Sequence, residues 1–376
     1  MTLLKTGGMR ALNRCLTCSR IQPMVKYQKF HFSLKSMVAS GLKDFDVLKN
    51  QNASHMSTTK TNIPDGWKEV GIHSIRTRIG LYAKLSKARL TGLVVLTAAA
   101  GYAIAPGVFE PNIFICTALG TMFCSSSANS FNQFIEVPYD CQMSRTRDRV
   151  LVRGLLRPSD AVIFGSVSGL IGVSLLAGTV NATTAVLGFA NIILYAGVYT
   201  PSKRYHIANT WIGSVVGAIP PLMGWTAATG GLSLGALPLA AILYSWQFPH
   251  FNALSWNYRP DYSRAGYKMM SVTDPAMCRR VTLRHSLAQI PISIAAPLLG
   301  VTNWSFPVLA LPFNAYLSLL SWEFYNNSNT NTARKLFRFT LIHLPIIMFL
   351  LFACKDRRTV VDESECFKDG EDQPRN

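Results

Sequence analysis

"NQFIEVPYDCQMSRTRDR", residues 132–149, closes an apolar run long enough to cross a bilayer. It adds an amide, two carboxylates and then arginines to the end of a hydrophobic helix. Asn132, Glu136 and Asp140 recur every fourth residue. Each such step drifts by about 40° around an α-helix, so the three share one face. Hard cations such as Mg²⁺ take oxygen ligands of this kind, usually one or two carboxylates beside substrate phosphates. Pro138 lacks an N–H and predicts a break or kink just before Asp140. Arg145, Arg147 and Arg149 follow, and guanidinium groups grip phosphate oxygens in pairs. Two readings stand at this point. Either the arginines are topogenic anchors that pair with the acids, or the stretch is a metal-and-phosphate site at a membrane face.

The remainder of the chain favours a membrane. Of 376 residues, 49% are hydrophobic and 15% charged, with a mean hydropathy of +0.21. Soluble domains carry about 25% charged residues. A net charge of +18 would form patches on a soluble domain in a nucleic-acid binder. Here the basic residues lie between apolar runs, and no nucleic-acid partner is expected.

Residues 1–43 hold eight basic residues and no acid, without a long apolar core. That composition reads as a mitochondrial presequence rather than a secretory signal, the alternative being a disordered basic arm. A polar flexible segment is expected over 44–80, a membrane domain over 81–354 and a polar acidic tail over 355–376. Eight cysteines are scattered, and the one CxxC pair, Cys15 and Cys18, falls in the leader with no second pair to complete a zinc site. Neither disulfides nor a structural metal are expected.

Apolar runs at 90–109, 112–134, 159–180, 183–200, 209–230, 233–254, 286–302, 305–324 and 339–354 predict nine transmembrane helices. Charge supports the count. The 21 basic residues between 75 and 354 fall only before the first span and after the second, fourth, sixth and eighth. The intervening loops hold none, so every basic residue lies on one face, as the positive-inside rule requires. The expected fold is an all-α integral membrane bundle of nine transmembrane helices with a polar cavity opening on that face.

Other loops on the same face add polar groups. "YTPSKRYHIANTW" supplies Lys203 and Arg204, then Asn209 at the start of the fifth span. At the end of the sixth, Trp246 and His250 stand one helical turn apart, followed by Asp261, Tyr262, Arg264 and Lys268. The aromatics alone would also serve as interfacial belt residues. His206 and His343 read as structural.

The run N-x3-E-x3-D-x2-M-x-R-T-x2-R, residues 132–149, resembles the first polar motif of the UbiA-type intramembrane prenyltransferases. "WQFPHF", "DYSRAGYKMM" and "NTARKLFRFTLIHLP" resemble their haem-farnesylating branch, over roughly residues 80–350. The resemblance implies that farnesyl diphosphate sets its diphosphate on Mg²⁺ held by Asn132, Glu136 and Asp140, with Arg145 and Arg149 beside it. Many members carry a second aspartate-rich motif after the fourth span. Here that loop holds no acid, and Lys203 and Arg204 would contact the diphosphate directly, with Asn209 a further polar ligand.

A farnesyl cation, or a transition state near it, would be shielded by apolar walls and stabilised by aromatic faces such as Trp246 or Tyr199. The branch implies haem B as acceptor, with Trp246, His250, Asp261, Tyr262, Arg264 and Lys268 as haem-binding candidates. His250 would face the iron, and Arg264 and Lys268 the propionates. The expected setting is the mitochondrial inner membrane with the site facing the matrix, and the next enzyme of haem A synthesis is a further expected partner. The alternatives are a quinone-pathway prenyltransferase of the same fold, or a transporter or assembly factor without catalysis. No internal repeat across the spans favours a transporter.

Overall fold

A computed structural model describes residues 75–356, all within one unit, Val70–Asn376. The predicted leader, most of the 44–80 segment and the tail beyond Asp356 lie outside the described residues. The chain runs α1 (Ile75–Leu85), α2 (Ala88–Ile104), α3 (Pro111–Asp140), α4 (Pro158–Thr179) and α5 (Ala182–Ile193). A π-helical turn, Leu194–Tyr199, carries α5 directly into α6 (Thr200–Tyr205). Then come α7 (Asn209–Thr229), α8 (Ala236–Asn257), the short α9 (Arg259–Arg264) and α10 (Met270–Thr273), α11 (Pro275–Leu298), α12 (Ser305–Asn326) and α13 (Thr330–Ala353). Among the described residues there is no β-strand, only an isolated bridge between Thr302 and Lys355.

Helix ends follow local chemistry. Proline opens α3, α4 and α11, where its missing N–H costs nothing. Asn181 accepts from the Thr184 N–H at 2.8 Å to cap α5, and Asp274 accepts from the Met277 N–H at 2.8 Å to cap α11. The expected break at Pro138 does not occur. α3 continues through it to Asp140. So close to the helix end, little of the hydrogen-bond ladder remains to be lost.

Three helical stretches among the described residues are long and apolar enough to cross a membrane by length and composition: Pro158–Thr179, Ala182–Tyr205 and Thr330–Ala353. α3 is longer, but its inner face is polar and buried (Asn129, Ser130, Asn132, Gln133, Glu136), which dilutes its hydropathy. α11 and α13 begin well before the apolar runs predicted at 286 and 339. Their extra turns carry Arg279, Arg280 and Arg284, and Arg334, Lys335 and Arg338. Such side chains bury their stems and keep their charges outward, so a basic turn extends an apolar helix without breaking it. Leu170, Phe189, Leu319 and Phe349 point outward from the bundle, as lipid-facing side chains do.

The helices form two groups. α2, α3, α4, α5 and α7 pack on one another, as do α8, α11, α12 and α13, and α7 against α8 joins them. A core containing Ile104, Trp225, Ile242, Phe306 and Ile347 bridges both groups. α2 meets α7 almost backbone to backbone: a methyl on Gly224 would stand 1.8 Å from the Ala98 carbonyl oxygen, and one on Gly101 2.1 Å from that of Pro221. Close approach through small residues is how helices associate where lipid removes the hydrophobic drive. Lys355 donates to the Ala103 and Ala105 carbonyls at 3.1 and 2.5 Å, fastening the end of α13 to the end of α2.

Candidate active site

Asn132, Glu136 and Asp140 line the inner face of α3 and are 0%, 4% and 2% exposed. Buried carboxylates need partners, and each of these polar groups is met by a cation from another segment. Lys87 Nζ donates to Asn132 Oδ1 at 2.6 Å. Lys203 Nζ donates to Glu136 Oε1 at 2.6 Å, and an Arg149 guanidinium nitrogen donates to Glu136 Oε2 at 3.0 Å. The same Arg149 nitrogen pairs with Asp140. Burial would raise the Glu136 carboxyl, but Lys203, Lys87 and Arg149 outweigh it and bring it down to about 2. Asp140 is pushed above the usual carboxylate range by burial, against Arg149 and with the Glu136 charge adding to the rise. Lys203 and Arg149 thus face the two carboxylates, and Lys87 stands beside them on Asn132, a third basic group that an incoming anion would hold charged.

Each cation is held by local structure. Lys87 occupies the tight turn between α1 and α2 in a left-handed conformation, φ 51° and ψ 53°. Such a conformation is costly for a non-glycine residue and persists where its surroundings enforce it. Gln133 helps to do so, donating to the Lys84 and Leu85 carbonyls at 3.0 and 2.7 Å. Burial, and next Arg149, push the Lys87 amine down to about 7. Lys87 also reaches Tyr195 OH at 3.4 Å, which in turn donates to Asn129 Oδ1 at 3.3 Å.

The π turn sets the opposite wall. Single π turns inside α-helices cluster at functional sites, and this one precedes Pro201, which cannot supply a helical N–H. Thr200 Oγ1 donates to the Tyr195 carbonyl at 2.8 Å and accepts from Asn132 Nδ2 at 2.9 Å. Lys203 follows, its amine 4.4 Å from the centre of the Tyr199 ring. Arg149 comes from the loop after α3, whose fold is fixed by Thr146 Oγ1 donating to the Asp140 carbonyl at 3.0 Å.

Two loops interlock beside this cluster. Asp261 is buried and accepts from Ser144 through both backbone N–H and hydroxyl. Arg145 is exposed and donates to Tyr262 OH at 3.3 Å. The Lys268 N–H donates to the Lys203 carbonyl at 2.8 Å, and Asn209 Nδ2 donates to the Lys268 carbonyl at 2.9 Å. Met143, Tyr262, Ala265, Tyr267 and Met269 form a small core there. Asp261, Tyr262 and Asn209 thus have internal partners, and the Arg264 and Lys268 side chains are exposed. Arg204 stacks on Tyr139 at 4.2 Å. The Tyr267 hydroxyl is buried with no hydrogen-bond partner among the described residues. Burial, and next the Glu136 charge, hold it protonated far above the usual phenol range.

Trp246 and His250 lie in the other helix group. Their rings stack at 4.5 Å, and both are anchored on Thr340 of α13: Trp246 Nε1 donates to the Thr340 carbonyl at 3.0 Å, and His250 Nδ1 lies 2.9 Å from Thr340 Oγ1. The structure therefore brings together Asn132, Glu136, Asp140, Arg149 and Lys203. It sets Arg145 in the interlocked loops and Trp246 with His250 in a separate aromatic pair. His206 accepts from the Ala208 N–H at 3.0 Å, and His343 is buried against Asn314 at 2.9 Å.

Lys87, Gln133, Tyr195, Thr200, Tyr267 and Thr340 escaped the sequence reading. Lys87 was visible only as one of five basic residues ahead of the first span. Gln133 and Thr200 each adjoin or oppose a residue already singled out, but nothing in their spacing marks them.

Residues 94–351 match the model of the UbiA prenyltransferase family. The chain belongs to that family. It is 54% identical over 289 residues to the protein named mitochondrial protoheme IX farnesyltransferase of Homo sapiens, covering 77% of this chain and 65% of that protein. It is 39% identical over 335 residues to the protein of the same name from Eremothecium gossypii, covering 84% and 76%. The chain therefore spans slightly less than two thirds of the length of the human relative. Among solved structures, a digeranylgeranylglyceryl phosphate synthase shares the fold with a TM-score of 0.65 at 13% identity, covering 76% of this chain and 99% of that one. A UbiA homologue from Archaeoglobus fulgidus bound to DMAPP and Mg²⁺ does so with a TM-score of 0.56 at 12% identity, covering 72% and 99%.

Proposed function

We propose that this chain transfers a farnesyl group from farnesyl diphosphate to a vinyl group of haem B, with addition of water, to give haem O. The observation that carries the reading is the convergence of three basic side chains on the inner face of α3, Lys203 and Arg149 on the buried carboxylates and Lys87 on the Asn132 amide. The names of the relatives point to the same donor and acceptor. The bundle would span the mitochondrial inner membrane nine times, with a polar cavity and this cluster toward the matrix, in line with the one-sided basic loops.

Asn132, Glu136 and Asp140 offer oxygen donors of the kind Mg²⁺ prefers, each oxygen with a lone pair beyond the one its cation uses. They fit the ion, and the Archaeoglobus fulgidus homologue named above was solved with Mg²⁺. When bound, Mg²⁺ would neutralise diphosphate charge as the leaving group departs.

The chain's own residues account for the remainder. Lys203 and Arg149 turn from the carboxylates, and Lys87 from Asn132, toward the arriving diphosphate and stabilise the charge that develops on it. The farnesyl C1–O bond breaks with its electron pair going to diphosphate. The vinyl group bonds to C1, water adds to the resulting porphyrin-side cation, and that water releases one proton. The Tyr199 ring, which carries the Lys203 amine 4.4 Å from its centre, would offer that face to the allylic cation once Lys203 turns to the diphosphate.

The test is to incubate the purified chain in lipid with haem B, farnesyl diphosphate and Mg²⁺ and follow products by mass spectrometry. Haem carrying one farnesyl group and one water, strongly diminished with Glu136→Gln, is the expected result. An intact preparation that makes no such product overturns the reading.

A further inference from the structure

Thr340 has one hydroxyl proton and two neighbours. Its Oγ1 donates to the Phe337 carbonyl at 2.6 Å, and a carbonyl can only accept. The contact of 2.9 Å to His250 Nδ1 must therefore run the other way, with Nδ1–H donating to Thr340 Oγ1. This fixes the neutral tautomer of His250 and leaves Nε2 with the free lone pair. Nε2 has no hydrogen-bond partner among the described residues, and it is not among their fully buried polar atoms. Trp246 stacks on the ring with planes 20° apart and is itself tied to the Thr340 carbonyl, while Phe337 lies 4.9 Å from the imidazole. Thr340 is wholly buried. One buried residue thus sets both the position and the protonation of an imidazole, the arrangement that metal-binding histidines use to present one nitrogen.

Resting on the haem reading above, we propose that His250 Nε2 ligates the iron of the haem substrate and that Thr340 is the positioning residue that holds the required tautomer. An axial imidazole is a common way to hold haem iron. Because the reacting vinyl group sits at the porphyrin edge, ligation serves to seat the acceptor and not to take part in bond making.

The experiment titrates the full chain in lipid with ferric haem B and, separately, with metal-free protoporphyrin IX. The bound haem should show an imidazole-ligated absorption spectrum. His250→Ala should lose that spectrum and bind haem more weakly by at least about 10- to 100-fold, the loss that removing only a ligand's supporting partner brings, and added imidazole should restore the spectrum. Thr340→Val keeps shape but removes the acceptor, and it should weaken haem binding in the same direction even if His250→Ala proves unstable. Metal-free porphyrin should bind all three proteins alike. Identical haem spectra in wild type and His250→Ala overturn the proposal, as does an equal loss of metal-free porphyrin binding, which would mark a packing role. Farnesylated product with no His250-dependent spectrum sinks ligation alone. A His250-dependent spectrum without product sinks the transfer reading and leaves ligation standing.

Discussion

Lys203 Nζ meets Glu136 Oε1 at 2.6 Å, joining the end of the π-interrupted helix to the inner face of α3. Many proteins of the UbiA type have a second acidic motif in the loop that carries Lys203. Here a lysine stands there and neutralises the first motif's own glutamate. The site is accordingly asymmetric: carboxylates come from α3 alone, and cations come from three other segments.

Replacing Lys203 with Met should lower farnesyl transfer by about 10²- to 10³-fold, the usual effect of removing one group that stabilises leaving-group charge. If Lys203 serves only to neutralise Glu136, then Lys203→Met combined with Glu136→Gln should be no worse than either single change. Independent contact with the substrate predicts instead that the losses multiply. Initial rates for the four proteins separate the two cases.

Tyr267→Phe gives a paired expectation. The hydroxyl is buried and unpartnered, so its removal should leave thermal stability unchanged or raised. If the hydroxyl donates to the bound diphosphate, KM for farnesyl diphosphate should rise about 10- to 100-fold, since a hydrogen bond to a charged group is worth about 1.5–3 kcal/mol. Inhibition by inorganic diphosphate should weaken in parallel. A variant that is less stable with an unaltered KM would contradict both halves.

The all-helical fold and half of the candidate cluster were legible because membranes constrain sequence tightly. A span needs a long apolar run, and the acids that interrupt one are costly, so Glu136 and Asp140 stood out. Lys203 was also visible, from its place in a loop without acids. Lys87 was hidden because a basic residue ahead of a span is what any membrane protein places there. What makes it special is a left-handed backbone and a contact 45 residues along the chain. Helix ends were blurred for a related reason. Hydropathy stops counting where arginines begin, although α11 starts at Pro275 and α13 at Thr330. Thr340 could not be found at all, because its role depends on which neighbour takes its single proton.

Chelating divalent metal should abolish farnesyl transfer yet leave inorganic diphosphate able to bind, more weakly, because Lys87, Lys203 and Arg149 remain. Adding back Mg²⁺ should restore turnover. Calorimetry with inorganic diphosphate, with and without a chelator, measures the first effect, and product formation measures the second. Complete loss of diphosphate binding on chelation would mean that the protein's cations alone cannot hold the anion.

The α2–α7 contact makes the last prediction, and it concerns stability. A methyl added at Gly224 would lie 1.8 Å from the Ala98 carbonyl oxygen and 2.7 Å from the Tyr102 nitrogen, both backbone atoms that no side-chain rotation can move. Gly224→Ala must therefore push α2 and α7 apart, at a cost of about 1–3 kcal/mol for an overpacked core. Gly92 lies in the same helix α2 as Ala98, with nothing within 4 Å of its added methyl. Gly92→Ala should be neutral, or stabilising by up to about 1 kcal/mol as glycine's backbone freedom is removed. Thermal inactivation midpoints of the two variants in the same lipid should move apart, Gly224→Ala downward and Gly92→Ala unchanged or upward. Because α2 begins at the turn that carries Lys87, the Gly224→Ala variant should also show a raised KM for farnesyl diphosphate. Equal midpoints for the two variants would mean that α2 and α7 are not packed backbone to backbone.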